Sequence, residues 1–418
     1  MKRILIRSAQ DPQKSYDALE STKKMGGNSG NLLYVNGVSR TLDSKANQLS
    51  FGGFKSHTLP DVSDWVNQVN KKYDHYVMPM ANSFREGMTE SLRGMTEIVR
   101  RLDIPVTVVG IGAQATVKSF SSNDFQMAST GGKKKLDNHK TEEHNRVVLE
   151  FCAAVLEKSN SIGVRGAFTK QYLVALGINP DKVRVIGCPS LYTWGPNHRI
   201  INSRGHSFDG RLEKFNSILP LSMNIDYRLA GIERMIYANL FQYPNITSPS
   251  QDSKSARMII TKDEHYELQK VNLGTPVHTK HPMFLRKNVI YYPNPWGWIH
   301  DLSKKQFVFG TRLHGNIAGI LGGTPAHLLA HDARTMELAN FHGIPYTKYD
   351  RDNDFLAEDL FKKTNYEKFN DLMPTNFANF IDFLHENNLS TIYDEKGKTK
   401  NFDKVIDKLK LIPPIYPM

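Results

Sequence analysis

Apolar residues recur along the first half of the chain in two alternating periods. Short continuous runs, Ile4 to Ile6, His75 to Met80, Val106 to Ile111, Ser161 to Val164 and Val183 to Ile186, have the length of buried strands. Between them apolar positions return at three- and four-residue steps, the spacing of a helix face. Leu32, Val35, Val38 and Leu42 follow a Gly26-Gly27-Asn28-Ser29-Gly30 turn; Met88, Leu92, Met95, Val99 and Leu102 form a second stripe; Val148, Phe151 and Val155 a third; Phe168 to Leu176 a fourth. Strands alternating with helices predict a parallel sheet covered on both faces, joined by right-handed connections.

After Trp194 to Gly210, a stretch rich in Gly, Pro, Asn, His and Ser that reads as a link, the alternation resumes. Ile218 to Met223 and Val289 to Tyr292 predict strands and Ile232 to Leu240 a helix. From Phe307 to Asp332 the pattern runs strand, polar turn, helix, strand. Its helical stripe, Ile317, Ala318, Ile320 and Leu321, is ended by Gly322, Gly323 and Pro325. The expectation is an α/β fold of two parallel-sheet domains facing a cleft, residues 1–200 and 201–418, without sequence repetition between them. Phe402, Val405, Ile406 and Leu409 predict a terminal helix that stops at Pro413-Pro414 and packs across a domain surface.

Composition narrows the partners more than the fold. Lys and Arg number 54 against 42 Asp and Glu, a formal charge of +12 that favours phosphorylated small molecules, anionic lipid surfaces or nucleic acid. Zinc-finger spacing and RNP-like aromatic patterns are missing and the longest basic run is Lys133 to Lys135, so nucleic acid is not expected. Apolar runs stay below the ~18 residues that span a bilayer, and the amino end is too short for a signal peptide, so a cytoplasmic protein is expected. The two cysteines, Cys152 and Cys188, offer neither a disulfide framework nor a four-thiolate zinc site. Between Ile111 and Glu142 lies a long polar stretch. It reads either as a lid bringing Lys133, Lys134, Lys135 or His139 over an anion, or as an insertion.

Candidate chemistry gathers where predicted strands end. Arg312 and His314 follow the strand at Phe307 to Phe309, and Arg165 follows Val164. A guanidinium, an imidazole and free helix amides suit an anion undergoing proton transfer. His314 is the acid/base candidate unless it merely caps its helix, and Gly315 would let a ligand approach the backbone beside Asn316. Amides of Gly27, Asn28 and Gly30 could cradle phosphate or sugar, or only shape a turn. Asn82, Ser83 and Gln114 follow strands and are candidates for hydrogen bonds to a substrate. Asp332 and Glu337 flank the next strand-to-helix turn, where they could orient His314 or bind hydroxyls, although Asp332 serves equally as a helix cap. Cys188 reads as an inert buried thiol. His327, His331 and His342 lack a metal-ligand spacing, and no metal or cofactor is expected.

Three stretches together carry a family resemblance. TRLHGNIAGILGGTPAHLLAHDARTMELANFHGIP from Thr311 to Pro345, SIGVRGAFTKQYLVALGI followed by VRVIGCPSLY, and the turns GGNSGNLL and VGIGAQ resemble the polysaccharide pyruvyl transferases over most of residues 26–345. The resemblance implies two Rossmann-like domains similar to GT-B glycosyltransferases, phosphoenolpyruvate as donor, and as acceptor a sugar of a surface glycan such as a capsule or exopolysaccharide. Two sugar hydroxyls would form a ketal at the central carbon of the donor. Arg312 and Arg165, one per domain, would hold its phosphate and carboxylate bidentately as the domains close. Two other readings stay open. One is a nucleotide-sugar glycosyltransferase or epimerase of the GT-B kind, whose helix amides bind a diphosphate; the other is a catalytically dead glycan-binding member. The acceptor, free or lipid-linked, the ketal stereochemistry, the oligomeric state and docking on a membrane are not fixed by the sequence.

Overall fold

The structure, a computed structural model, describes residues 1–116, 120, 138–201, 220–263, 274–394 and 401–417. The first half holds strands β1 (Lys2–Ser8), β2 (Asn47–Gly53), β3 (His75–Pro79), β4 (Val106–Ile111), β5 (Ile162–Val164) and β6 (Val183–Val185). They pair in the order β2-β1-β3-β4-β5-β6, every pairing parallel. β3 and β4 are buried along their whole length. Such strands need covering on both faces, which accounts for their continuous apolar runs. β2 went unpredicted because it is an edge strand, partly exposed along most of NQLSFGG, and so lacks that run.

The second half holds β7 (Leu221–Asn224), β8 (Ser248–Pro249), β9 (Val289–Ile290), β10 (Phe307–Gly310), β11 (Ala326–Ala330) and β12 (Tyr346–Lys348). A four-stranded parallel sheet runs β12-β11-β10-β7, and a parallel bridge from Ser222 to Thr247 adds the β8-β9 pair beside β7. Both sheets reverse their strand order once, between β1 and β3 and between β7 and β10. Crevices at such switch points, beyond the carboxyl ends of the strands, are where open α/β sheets take ligands. The two parallel α/β units make the expected Rossmann-like, GT-B-like arrangement. The expected boundary near residue 200 adjoins residues 202–219, outside those described, as are Lys133, Lys134 and Lys135; His139 lies exposed in the helix Asn138–Leu156.

The largest apolar cluster joins the two halves. The helix Gly30–Leu42 is buried on nearly every side, with Leu33, Val38 and Leu42 at 0% exposure, and packs with Leu191, Trp298, Ile317 and Ile320. The helix Glu367–Glu386, masked in the sequence by Pro374, lays Phe380 on Tyr192 (ring centroids 4.8 Å apart) and Phe383 against Gly163, where a Cβ would lie 2.8 Å from its ring. Asn379 Nδ2 donates to the Val185 carbonyl (2.6 Å), and Arg184 pairs with Glu386 (2.5 Å), so this helix closes the free edge of β6. The terminal helix runs Asn401–Asp407 and ends well short of Pro413, because the chain straightens to bridge Ile415 with Tyr291. Phe402 meets Trp296 (5.8 Å) while Asp403 pairs with Arg40 (2.7 Å), tying the halves together.

Candidate active site at the facing sheet edges

His314 sits in the first turn of the helix Leu313–Leu321, just beyond β10. A second helix start meets it there. A Cβ on Gly30, at the beginning of Gly30–Leu42, would fall 2.5 Å from His314 Cβ, so only glycine allows this approach. The Tyr34 ring lies 5.9 Å from the imidazole, and Cys188 Sγ is 3.9 Å from Nε2. Burial, with Arg165 and Arg334 nearby, holds the imidazole well below its usual pKa. His314 is therefore a neutral base between two positive helix ends.

Arg165 is fully buried. Its Nε donates to the Gly110 carbonyl (2.6 Å) and Nη2 to that of Met80 (3.2 Å), both near the carboxyl ends of β4 and β3. Nη1 is buried without a hydrogen-bond partner among the described residues, and the guanidinium carbon lies 5.7 Å from the Tyr34 ring. Arg312 occupies the N-cap position of the His314 helix. Its Nε donates to the Ile225 carbonyl (3.2 Å), its Nη2 is 3.7 Å from Asp226, and its guanidinium lies over Tyr227. No described contact joins the two arginines. Arg165 stands beside His314, and Arg312 belongs to a second cationic group.

That second group escaped the sequence reading. Arg85, six residues past β3, is partly buried, pairs with no carboxylate among the described residues, and has its Nε buried without a partner. Burial, then Arg334 and Arg228, lowers its pKa, the sign of a cation held among cations. Arg334 pairs with Asp332 (3.3 Å) and also leaves Nε buried and unbonded among the described residues; Arg228, largely exposed, pairs with Asp226 (2.6 Å). Burial opposes ionisation of Asp226, but Arg312 and Arg228 outweigh it and keep the carboxyl well below its usual range. All three missed arginines follow the carboxyl end of a parallel strand within a few residues. That position alone could have selected them.

The remaining candidates fall into two kinds. Asn82 Nδ2 donates to Gln114 (2.6 Å) and Gln114 Nε2 to Asp332 (3.0 Å), a chain crossing from one sheet edge to the other; Ser83 is buried in the same turn as Asn82. Asp332 caps the helix Ala333–His342 in a capping box with Thr335. Glu337 accepts from the Thr169 amide (3.0 Å) and hydroxyl (2.7 Å), and burial, only partly offset by these bonds, raises its carboxyl to about 7. Neither acid touches His314 through a described bond; both fasten one half of the molecule to the other. Gly27 adopts φ +78° with open space around its α-carbon, and Asn28 Oδ1 accepts the Gly30 amide (2.8 Å). Gly315 is not open to a ligand as expected, because the Asn224 carboxamide occupies the space a Cβ would need. Asn316 Nδ2 donates to the Gly310 and Arg312 carbonyls (3.0 and 2.9 Å) and braces the turn.

Among the described residues no helix is long and apolar enough to cross a membrane. No curated protein matches the chain. Similar solved structures include the S. aureus MnaA-UDP co-structure (11% identity, 95% of this chain and 99% of that one, TM-score 0.43). Others are UDP-GlcNAc 2-epimerase from Neisseria meningitidis bound to UDP-GlcNAc (11%, 93% and 100%, 0.44) and Anabaena Alr3699/HepE with UDP and glucose (10%, 98% and 100%, 0.40). The model of one family, polysaccharide pyruvyl transferase, matches residues 28–333, from the glycine turn that backs His314 to the start of the helix that Asp332 caps. With that match over most of its length, the chain belongs to the polysaccharide pyruvyl transferase family.

Proposed function

We propose that this transferase moves the pyruvate unit of phosphoenolpyruvate onto two hydroxyls of one sugar in a surface glycan. The observation that carries the reading is a set of buried guanidinium nitrogens without partners among the described residues: Arg165 Nη1 beside His314, and Arg85 Nε and Arg334 Nε in the second cationic group. Such a set suits a small donor with two separate anionic groups, carboxylate and phosphate. Arg165 would take one, and the group around Arg312, Arg85 and Arg334 the other.

Neutral His314 is suited to accept the proton of the first hydroxyl as its oxygen bonds to the central carbon of the donor. The carbon–carbon double bond supplies the electron pair that takes a proton at the methylene carbon, making a methyl group. The second hydroxyl then bonds to the same carbon as the bond from that carbon to the bridging oxygen of the phosphate breaks, and phosphate leaves with that oxygen. One hydroxyl proton is accounted for by the methyl group and the other by the departing phosphate. The charge of +12 supports docking near an anionic membrane that displays a lipid-linked acceptor.

The test is phosphate release from phosphoenolpyruvate with free and lipid-linked galactose- and mannose-containing acceptors. His314→Ala should lower turnover ~10²- to 10⁴-fold with the fold intact. Absence of release with every acceptor, together with tight binding of a uridine nucleotide, would transfer the reading to a nucleotide-sugar enzyme.

A further inference from the structure

Among the described residues, Asn224 and Gln251 are the two carboxamides whose nitrogen and oxygen are both buried with no hydrogen-bond partner. They are 0% and 3% exposed. Buried amides are almost always bonded, and each atom left bare weakens the fold, so a pair of bare amides at a ligand-facing edge points to hydrogen bonds completed by a ligand.

Their positions converge on His314. Asn224 ends β7 at the switch point, and its carbonyl accepts the amides of Thr311 (2.8 Å) and Arg312 (3.3 Å), which fixes its backbone against the turn. Its carboxamide lies on Gly315, so closely that any Cβ there would overlap it. Gln251 follows β8; its carbonyl accepts the Ser29 amide (2.8 Å), and Ser29 leads into Gly30, which abuts His314. Ser250, beside Gln251, also keeps a buried hydroxyl without a partner among the described residues. The Asn224 carboxamide is thus one residue from the acid/base candidate and the Gln251 backbone two residues from it, both in the half of the molecule opposite Arg165.

We infer that Asn224 and Gln251 are sugar-positioning residues, hydrogen-bonding hydroxyls of the acceptor pyranose beside His314. The inference rests on the acceptor named under the proposed function. A carboxamide offers a donor and an acceptor side by side, as does each hydroxyl of a vicinal pair. The arginines nearby are donors only and serve the charged donor substrate; the neutral amides select a neutral polyhydroxyl partner.

The whole protein is tested by saturation-transfer NMR with methyl β-galactoside and methyl β-mannoside, and by initial rates of phosphate release. Asn224→Leu and Gln251→Leu keep the approximate size and remove the hydrogen bonds; circular dichroism checks folding, and Gln251→Leu, outside β7, stands if Asn224→Leu does not fold. The expected result is saturation of at least one glycoside by the wild type, its loss in the variants, and a KM for the acceptor raised about tenfold per amide with the KM for phosphoenolpyruvate unchanged. Saturation of neither glycoside, or a rise in the phosphoenolpyruvate KM alone, overturns the inference, as does saturation that the variants keep. Glycoside binding lost in the variants, in a protein that never releases phosphate, keeps the subsite and sinks the pyruvyl-transfer reading instead.

Discussion

Mild acid should strongly destabilise this protein, at a pH where most carboxylates are still ionised. His75, His144, His281, His327 and His342 are all buried, and burial pushes His75 and His342 down to about 3 and the other three to about 4. Two of them are committed to accept hydrogen bonds: His342 Nε2 from the Cys188 amide (2.8 Å) and His281 Nδ1 from that of Met283 (3.1 Å). Protonation would remove those lone pairs. An unfolded histidine titrates near 6.5, so the unfolded chain binds protons first, and the stability these rings hold above pH 6.5 is lost as pH falls toward 4. At pH 5.5 each ring costs about 1.4 kcal/mol, or roughly 7 kcal/mol for the group. Glu337, raised to about 7, acts with the opposite sign and returns about 2 kcal/mol between pH 7.5 and 5.5. Allowing for some hydration of the rings, a net loss of about 3–5 kcal/mol is expected, a large share of the ~5–15 kcal/mol that holds a typical fold. Urea unfolding followed by tryptophan fluorescence at pH 7.5 and 5.5, at one ionic strength, measures it. His144→Gln should flatten the dependence by about 1 kcal/mol. A loss smaller than about 1 kcal/mol across that interval would refute the reasoning.

Other substitutions probe the site and its frame. Gly315→Ala forces a Cβ onto the Asn224 carboxamide and should cost about 1–3 kcal/mol in urea unfolding, and Asn224→Gly on the same background should recover most of it. No recovery would mean that the two side chains do not compete for that space. Arg85→Met should raise the KM for phosphoenolpyruvate at least about tenfold, with Arg85→Lys recovering little because the fork is lost; an unchanged KM removes Arg85 from the donor site. Arg40→Ala strips Asp403 of its partner and should speed hydrogen exchange across Asn401–Asp407 while leaving β1 protected. Equal exchange in both proteins would show that Phe402 alone anchors that helix.

Long buried strands and two-faced sheets were readable because they write themselves as continuous apolar runs, as at Val106–Ile111 and Phe307–Gly310. The helix after Gly30 was readable by its stripe. Its role was not, since burial on nearly every side follows from docking between two sheets rather than from any local pattern. β2 escaped because it is partly exposed and lacks an apolar run, and the helix Ser63–Lys72 because it is short and buries only Val66 and Val69. At the site, Arg312, His314 and Arg165 could be picked out by lying just past strand ends. Arg85, Arg228 and Arg334 lie a few residues further past their strands, where the same strand-end position marks them at a looser spacing. The amides of Asn224 and Gln251 were invisible for a deeper reason. Being unbonded is a property of the whole packing, and no residue type or spacing encodes it.

The helix Glu367–Glu386 closes the free edge of β6, yet it is made about 200 residues later than the strand it covers. At ~5–20 residues per second, the β6 edge waits roughly ten to forty seconds on the ribosome with the Val185 carbonyl and the surface over Gly163 uncovered. An open strand edge beside an apolar face is a template for pairing with other chains. The first sheet is therefore born incomplete, and the order of synthesis makes that interval the point at which the nascent chain most needs a chaperone.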